Sequence, residues 1–169
     1  LQAFNRNLIL APEIYANPWF LRDDEFPKLA RIYNLHRRYR EIMVKGMVLD
    51  EQNYGPRAVS RGDDATRLVS LRNLTWEPVT HKVKLDDSIG LKVDGAVEVR
   101  QFHPTERIIG NFKKGDEVTV TVQPFRSCLL LVDTKSSGGI GVNGSDYEVV
   151  RDVPGKDVVI NVLGGAGET

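Results

Sequence analysis

Apolar residues recur in three rhythms along the chain, and each predicts a different element. Leu8-Ile9-Leu10 is a short continuous run ended by Ala11-Pro12. Such a run predicts a strand buried on both faces. From residue 25 to about 45 the period becomes helical, with Phe26, Leu29, Ile32, Tyr33, Tyr39, Ile42 and Met43 forming a stripe. Asp23 or Asp24 is suited to cap that helix, Glu25 complements its dipole, and Gly46 stands where a C-terminal cap belongs. Beyond residue 57 the period falls to two. Strands are predicted at Thr66 to Leu74, Val79 to Leu85, Val97 to His103, Ile108 to Phe112, Glu117 to Gln123 and Ser127 to Asp133. Turn formers separate them, among them Trp76-Glu77-Pro78, Val93-Asp94-Gly95 and Lys113-Lys114-Gly115-Asp116.

These rhythms predict a mainly β fold: an antiparallel β-sandwich preceded by one long N-terminal helix. They also divide the chain. Residues 1–56 read as a strand-loop-helix unit and residues 57–133 as the sandwich. Residues 134–169 read as a glycine-rich linker with a partial β segment, Tyr147 to Val150 and Val158 to Leu163, because they hold 8 of the 15 glycines. The stretch Thr134 to Gly139 is predicted to be flexible. The chain opens at Leu1 without a methionine and is read as a piece of a longer protein.

Charge narrows the partners. The 23 Lys+Arg balance 23 Asp+Glu, so bulk electrostatic capture of nucleic acid is excluded as the principal activity. No apolar run approaches the roughly 20 residues of a membrane-spanning helix. The single Cys128 sits within an aliphatic run and reads as an inert buried thiol.

Few residues are arranged for chemistry. His36, His81 and His103 are scattered and show no metal-ligand spacing, so neither metal nor cofactor is expected. His36, Arg37, Arg38 and Arg40 read as a solvated cationic helix face, and the polar segment around His103 as a cleft lining or an inter-domain contact. Gly138-Gly139-Ile140-Gly141 lacks the lysine and following helix of a phosphate loop, and within Arg61-Gly62-Asp63 the glycine, with Asp63-Asp64, reads as a turn before the strand at Thr66. The candidate binding residues are Glu13, Asn17 and Trp19, in the loop after the first predicted strand. Tryptophan stacks on the apolar face of a sugar ring while carboxylate and amide hold its hydroxyls.

A familiar order then emerges. A strand and a Pro-Trp loop lead into the helix Phe26-Pro27-Lys28-Leu29-Ala30-Arg31-Ile32-Tyr33-Asn34-Leu35-His36-Arg37-Arg38-Tyr39-Arg40. Ser60-Arg61-Gly62-Asp63, Leu71-Arg72-Asn73-Leu74-Thr75-Trp76-Glu77-Pro78 and Pro124-Phe125-Arg126-Ser127-Cys128-Leu129-Leu130-Leu131 follow. Residues 5–133 thereby resemble the C-terminal region of bacterial glycoside hydrolases of the α-galactosidase-like type, in which a (β/α)8 barrel passes into a β-sandwich. The resemblance implies that residues 1–56 end a barrel whose catalytic carboxylates lie on earlier strands, so that no residue here is catalytic. It implies a non-catalytic region packed on the remainder of the enzyme, with a neutral glycan as ligand and a periplasmic or extracellular location. Two alternatives are an independent carbohydrate-binding sandwich and an interaction domain without a sugar role. Coplanar exposed aromatics would favour the binding module; burial of Trp19, Tyr54, Trp76 and Phe102 would count against it.

Overall fold

The computed structural model describes residues 17–164. A 3-10 turn at Pro18–Phe20 precedes the helix α1, Glu25–Met43. Ten strands follow: β1 Gly46–Val48, β2 Val59–Gly62, β3 Thr66–Arg72, β4 Val79–Lys84, β5 Ala96–His103, β6 Arg107–Lys113, β7 Glu117–Val122, β8 Ser127–Asp133, β9 Asp146–Arg151 and β10 Val159–Leu163. The fold is mainly β, a sandwich preceded by one long helix, as the patterning predicts. The strand predicted at Leu8 to Leu10 lies outside the described residues.

Six strands form one antiparallel sheet in the order β1-β2-β3-β8-β5-β6. Its two faces carry different cores. One face packs Val69, Leu71, Val97, Val99, Leu130 and Val132 against Val83, Val118, Val120 and Val122 of the two-stranded sheet β4–β7. The other packs Leu68, Phe102, Leu129 and Leu131 against Leu35, Tyr39 and Met43 of α1. Helix, six-stranded sheet and two-stranded sheet thus make three layers. The middle position of β3 and β8 explains the unbroken run Cys128-Leu129-Leu130-Leu131-Val132, since a strand covered on both faces has no polar side to alternate with. By contrast β7, covered on one face, alternates strictly between exposed and buried.

Several local expectations are revised. Leu35 is fully buried, whereas Phe26 is 43% exposed, so the buried stripe of α1 runs through Ile32, Leu35, Tyr39 and Met43. Asp24 stands at the N-cap without a side-chain cap bond; the Glu25 carboxylate instead accepts the Arg22 N–H at 2.8 Å. The helix ends at Val44, which leaves Gly46 to open β1, paired opposite Arg61.

Residues 134–141 are pinned rather than free. The Asp133 carboxylate accepts the amides of Lys135 and Ser137, and Arg38 donates to the carbonyls of Ser137 and Gly138. The glycines there make room for arginines. A Cβ on Gly138 would lie 2.4 Å from Arg100 Nε, and one on Gly139 would lie 2.8 Å from an Arg38 nitrogen. The buried Arg100 is itself paired with Glu98 and donates to the Ile140 carbonyl at 3.3 Å. The strap in turn leads into the β9–β10 hairpin, which closes antiparallel.

Candidate functional site

Polar groups converge where α1, the β5–β6 turn and the β9–β10 hairpin meet. Reciprocal backbone bonds between Glu106 and Tyr147, at 2.9 and 2.8 Å, join the hairpin to the turn. Arg31 reaches both from one turn of α1. Its guanidinium grips Glu106 bidentately, at 2.7 and 3.0 Å, and Asp152 at 2.8 Å, and it lies 5.7 Å from the Phe102 ring centroid. Asn34 donates to the Asp152 carbonyl at 2.7 Å, and Lys28 pairs with Glu148 at 2.7 Å. Burial works against the Arg31 charge, but the hydrogen bonds and field of Glu106 and Asp152 outweigh it and hold the pKa above its ordinary value. Burial, reinforced by Glu106, pushes the Tyr147 phenol up to about 12.

A cavity of about 50 Å3 lies in this junction, lined by Lys28, Arg31, Phe102, His103, Glu106 and Tyr147. That is room for a few waters at most, far below the roughly 300 Å3 at which small-molecule pockets begin. Of the two readings of the His103 segment, the geometry favours a contact between elements over a ligand cleft.

His103 nevertheless has a measurable consequence. Burial, with the fields of Lys28 and Arg126 added, pushes its pKa from 6.5 down to about 4. The folded value lies below the unfolded one, so the unfolded chain takes up the proton first. The associated stability is complete above about pH 6.5 and is lost progressively as pH falls towards 4. His81, buried and also held below its ordinary value by burial, acts in the same direction. Urea midpoints of the parent chain should fall between pH 7 and pH 4.5, and those of His103→Gln should fall less. An equal fall in both would contradict this assignment.

Two carboxylates are buried among the described residues, Glu106 and Asp133. Arg31 neutralises the first. The second accepts the Thr66 hydroxyl at 2.7 Å and the Lys135 amide at 3.0 Å. Burial alone would raise the Asp133 pKa, but these bonds and those from Ser137 bring it below the ordinary carboxylate value. Burial pushes the Cys128 thiol up to about 12, consistent with the inert reading. No cluster of three or more His, Cys, Asp or Glu suited to a metal ion occurs among the described residues.

Of the predicted binding residues, Glu13 lies outside the described residues. Asn17 and Trp19 share one turn. The Asn17 side-chain oxygen accepts the Trp19 N–H at 3.1 Å, and its carbonyl accepts the Phe20 N–H at 3.2 Å. Asn17 is therefore a local cap, a role its Asn-x-x spacing permits. Trp19 and Phe20 are 90% and 84% exposed. A shallow groove of about 480 Å3 runs between Phe26, Tyr33 and Arg37 of α1 and Asp152, Val153 and Pro154. Elsewhere Trp76 is exposed, whereas Tyr54 and Phe102 are buried. The arginine locks were not foreseen from the sequence. Their signal was indirect: charged residues within predicted apolar strands and helix stripes, and glycines at their contacts.

No protein-family profile matches the chain, and no curated protein matches it. Among solved structures it is similar to a Bacillus halodurans C-125 protein named for alpha-N-acetylgalactosaminidase activity, at 18% identity and a TM-score of 0.36, over 45% of this chain and 18% of that one. It is also similar to a structure named glycoside hydrolase, at 14% identity and a TM-score of 0.43, over 76% of this chain and 31% of that one. The chain therefore spans less than a third of either neighbour, and both neighbours are named for glycoside hydrolysis.

Proposed function

We propose that the chain is a non-catalytic accessory region of a glycoside hydrolase, packing on and supporting a catalytic barrel. The observation that carries the reading is the state of its buried carboxylates. A glycosidase needs two acids facing one substrate-sized site, one of them able to hold and release a proton near neutrality. Here Glu106 is clamped by Arg31 and Asp133 is locked by amides and a hydroxyl, both in structural roles. The outward surface supports the packing. Trp19 and Phe20 are exposed in the turn before α1, and Phe26 is exposed where it lines the groove along the helix. In this reading Glu13, Asn17 and Trp19 stand near the barrel mouth, where a neutral glycan would reach them.

The test is turnover of chromogenic α-galactosides by this chain alone. The expected result is no release above buffer. Release proportional to chain concentration would overturn the proposal.

A further inference from the structure

We infer that the loops carrying Trp76 and Phe125 form a binding site for a single pyranose residue of a glycan. The site is distinct from the Asn17–Trp19 turn and does not depend on the accessory role: a glycan could bind here whether or not the chain packs on a barrel.

The first observation is that the tryptophan is presented rigidly. Asn73, almost completely buried, donates to the carbonyls of Glu77 at 2.6 Å and Val122 at 3.0 Å. Its side-chain oxygen accepts the amide and the hydroxyl of Thr75, both at 2.7 Å. Its own amide donates to the Arg126 carbonyl at 2.9 Å, tying the loop after β3 to the loop before β8. A buried amide is thus devoted to holding a loop whose tip, Trp76, is 83% exposed. An anchored ring suits ligand binding, because little conformational freedom remains to be lost on binding.

The second observation is strain. Phe125 adopts a left-handed backbone with φ of 53°, a conformation usually left to glycine or asparagine. It sets the Phe125 ring against Trp76, with centroids 4.7 Å apart and planes at 80°. Phe125 thereby steadies the indole, and a glycine at this position would forfeit that contact.

The same geometry selects the ligand. Rings at 80° cannot both lie flat on one extended surface, so the pair does not suit a flat run of polymer. An indole 83% exposed offers area for one sugar ring, whose axial C–H groups make an apolar face. The exposed polar side chains of Glu77, Gln123 and Arg126 on the same two loops provide hydrogen-bonding groups for the equatorial hydroxyls. A protein partner would call for a broader apolar patch than Leu74, Trp76 and Phe125 supply.

Affinity electrophoresis through gels containing galactomannan, xyloglucan or arabinogalactan tests the inference. The parent chain should be retarded in at least one gel, and Trp76→Ala should weaken that interaction about tenfold, the loss expected for one stacked ring. Because Trp76 is exposed, the variant should melt with the parent. A second measurement uses Trp19→Phe, which leaves Trp76 as the sole indole; its emission should shift on titration with the retarding polysaccharide. Unretarded migration of the parent in all three gels, equal retardation of Trp76→Ala, or an unchanged Trp76 emission would each overturn the inference. The turnover assay reads a different property, so the two proposals can fail separately.

Discussion

Gly62→Ala is expected to destabilise the chain by about 3–5 kcal/mol, enough to consume much of a typical domain's stability. Gly62 closes β2 with φ of +147°, one residue before the turn into β3. A Cβ there would sit 1.9 Å from the Thr66 carbonyl oxygen and 2.9 Å from its carbon, so backbone must move, not a side-chain tip. The backbone has little room to do so. The Gly62 amide donates to the Lys45 carbonyl at 2.9 Å, its carbonyl accepts from Arg67 at 2.7 Å, and Asp63 holds the amides of Ala65 and Thr66 at 2.9 and 2.8 Å. Gly115→Ala makes the control. Its φ is also positive, at +94°, but nothing lies within 4 Å of the added carbon, so the cost should be about 1 kcal/mol. Thermal melts should show a drop of about 10 °C or more for Gly62→Ala and a few degrees for Gly115→Ala. Equal drops would mean that the close approach at Gly62 is not what requires glycine.

Arg31→Met should cost about as much, for an electrostatic reason. Removing the guanidinium strands Glu106 in a site that gives its side chain 5% exposure, and it releases Asp152 of the hairpin. Breaking one side of such a pair costs about 3–5 kcal/mol, because the remaining charge is buried without compensation. Neutralising that charge should restore part of the loss, so Arg31→Met with Glu106→Gln should be less destabilised than the sum of the single variants. Arg31→Lys keeps the charge but loses the two-pronged grip and should fall between. Strict additivity in the double variant would show that the two side chains are not energetically coupled.

Most of the architecture was legible because strand rhythm survives wherever one face is wet. The alternation of Glu117 to Val122 located β7 directly. Legibility failed where tertiary contacts replaced local pattern. β1 and β2 are three and four residues long, too short to show a period, and they exist because they extend an established sheet edge. The run after Thr134 has the composition of a flexible linker. Its order comes from Arg38 and Arg100, distant in sequence, and from the Asp133 carboxylate at its base. The site was legible to a lesser degree. Trp19 is exposed, and the local engagement of Asn17 depends on a turn that composition alone does not reveal. Trp76 passed as a turn residue, because the anchoring by Asn73 and the approach of Phe125 bring together loops about fifty residues apart.

A supporting role requires that α1, which bears the outward aromatic surface, move as one body with the sandwich. Native-state amide hydrogen exchange measures this directly. Amides from Ile32 to Met43 should open with the same free energy as those of β3 and β8, and both sets should fall together in Arg31→Met. Exchange of the helix at nearly unprotected rates while β3 and β8 stay fully protected would contradict the account, since a helix that unfolds independently could not transmit support from the sandwich to a barrel.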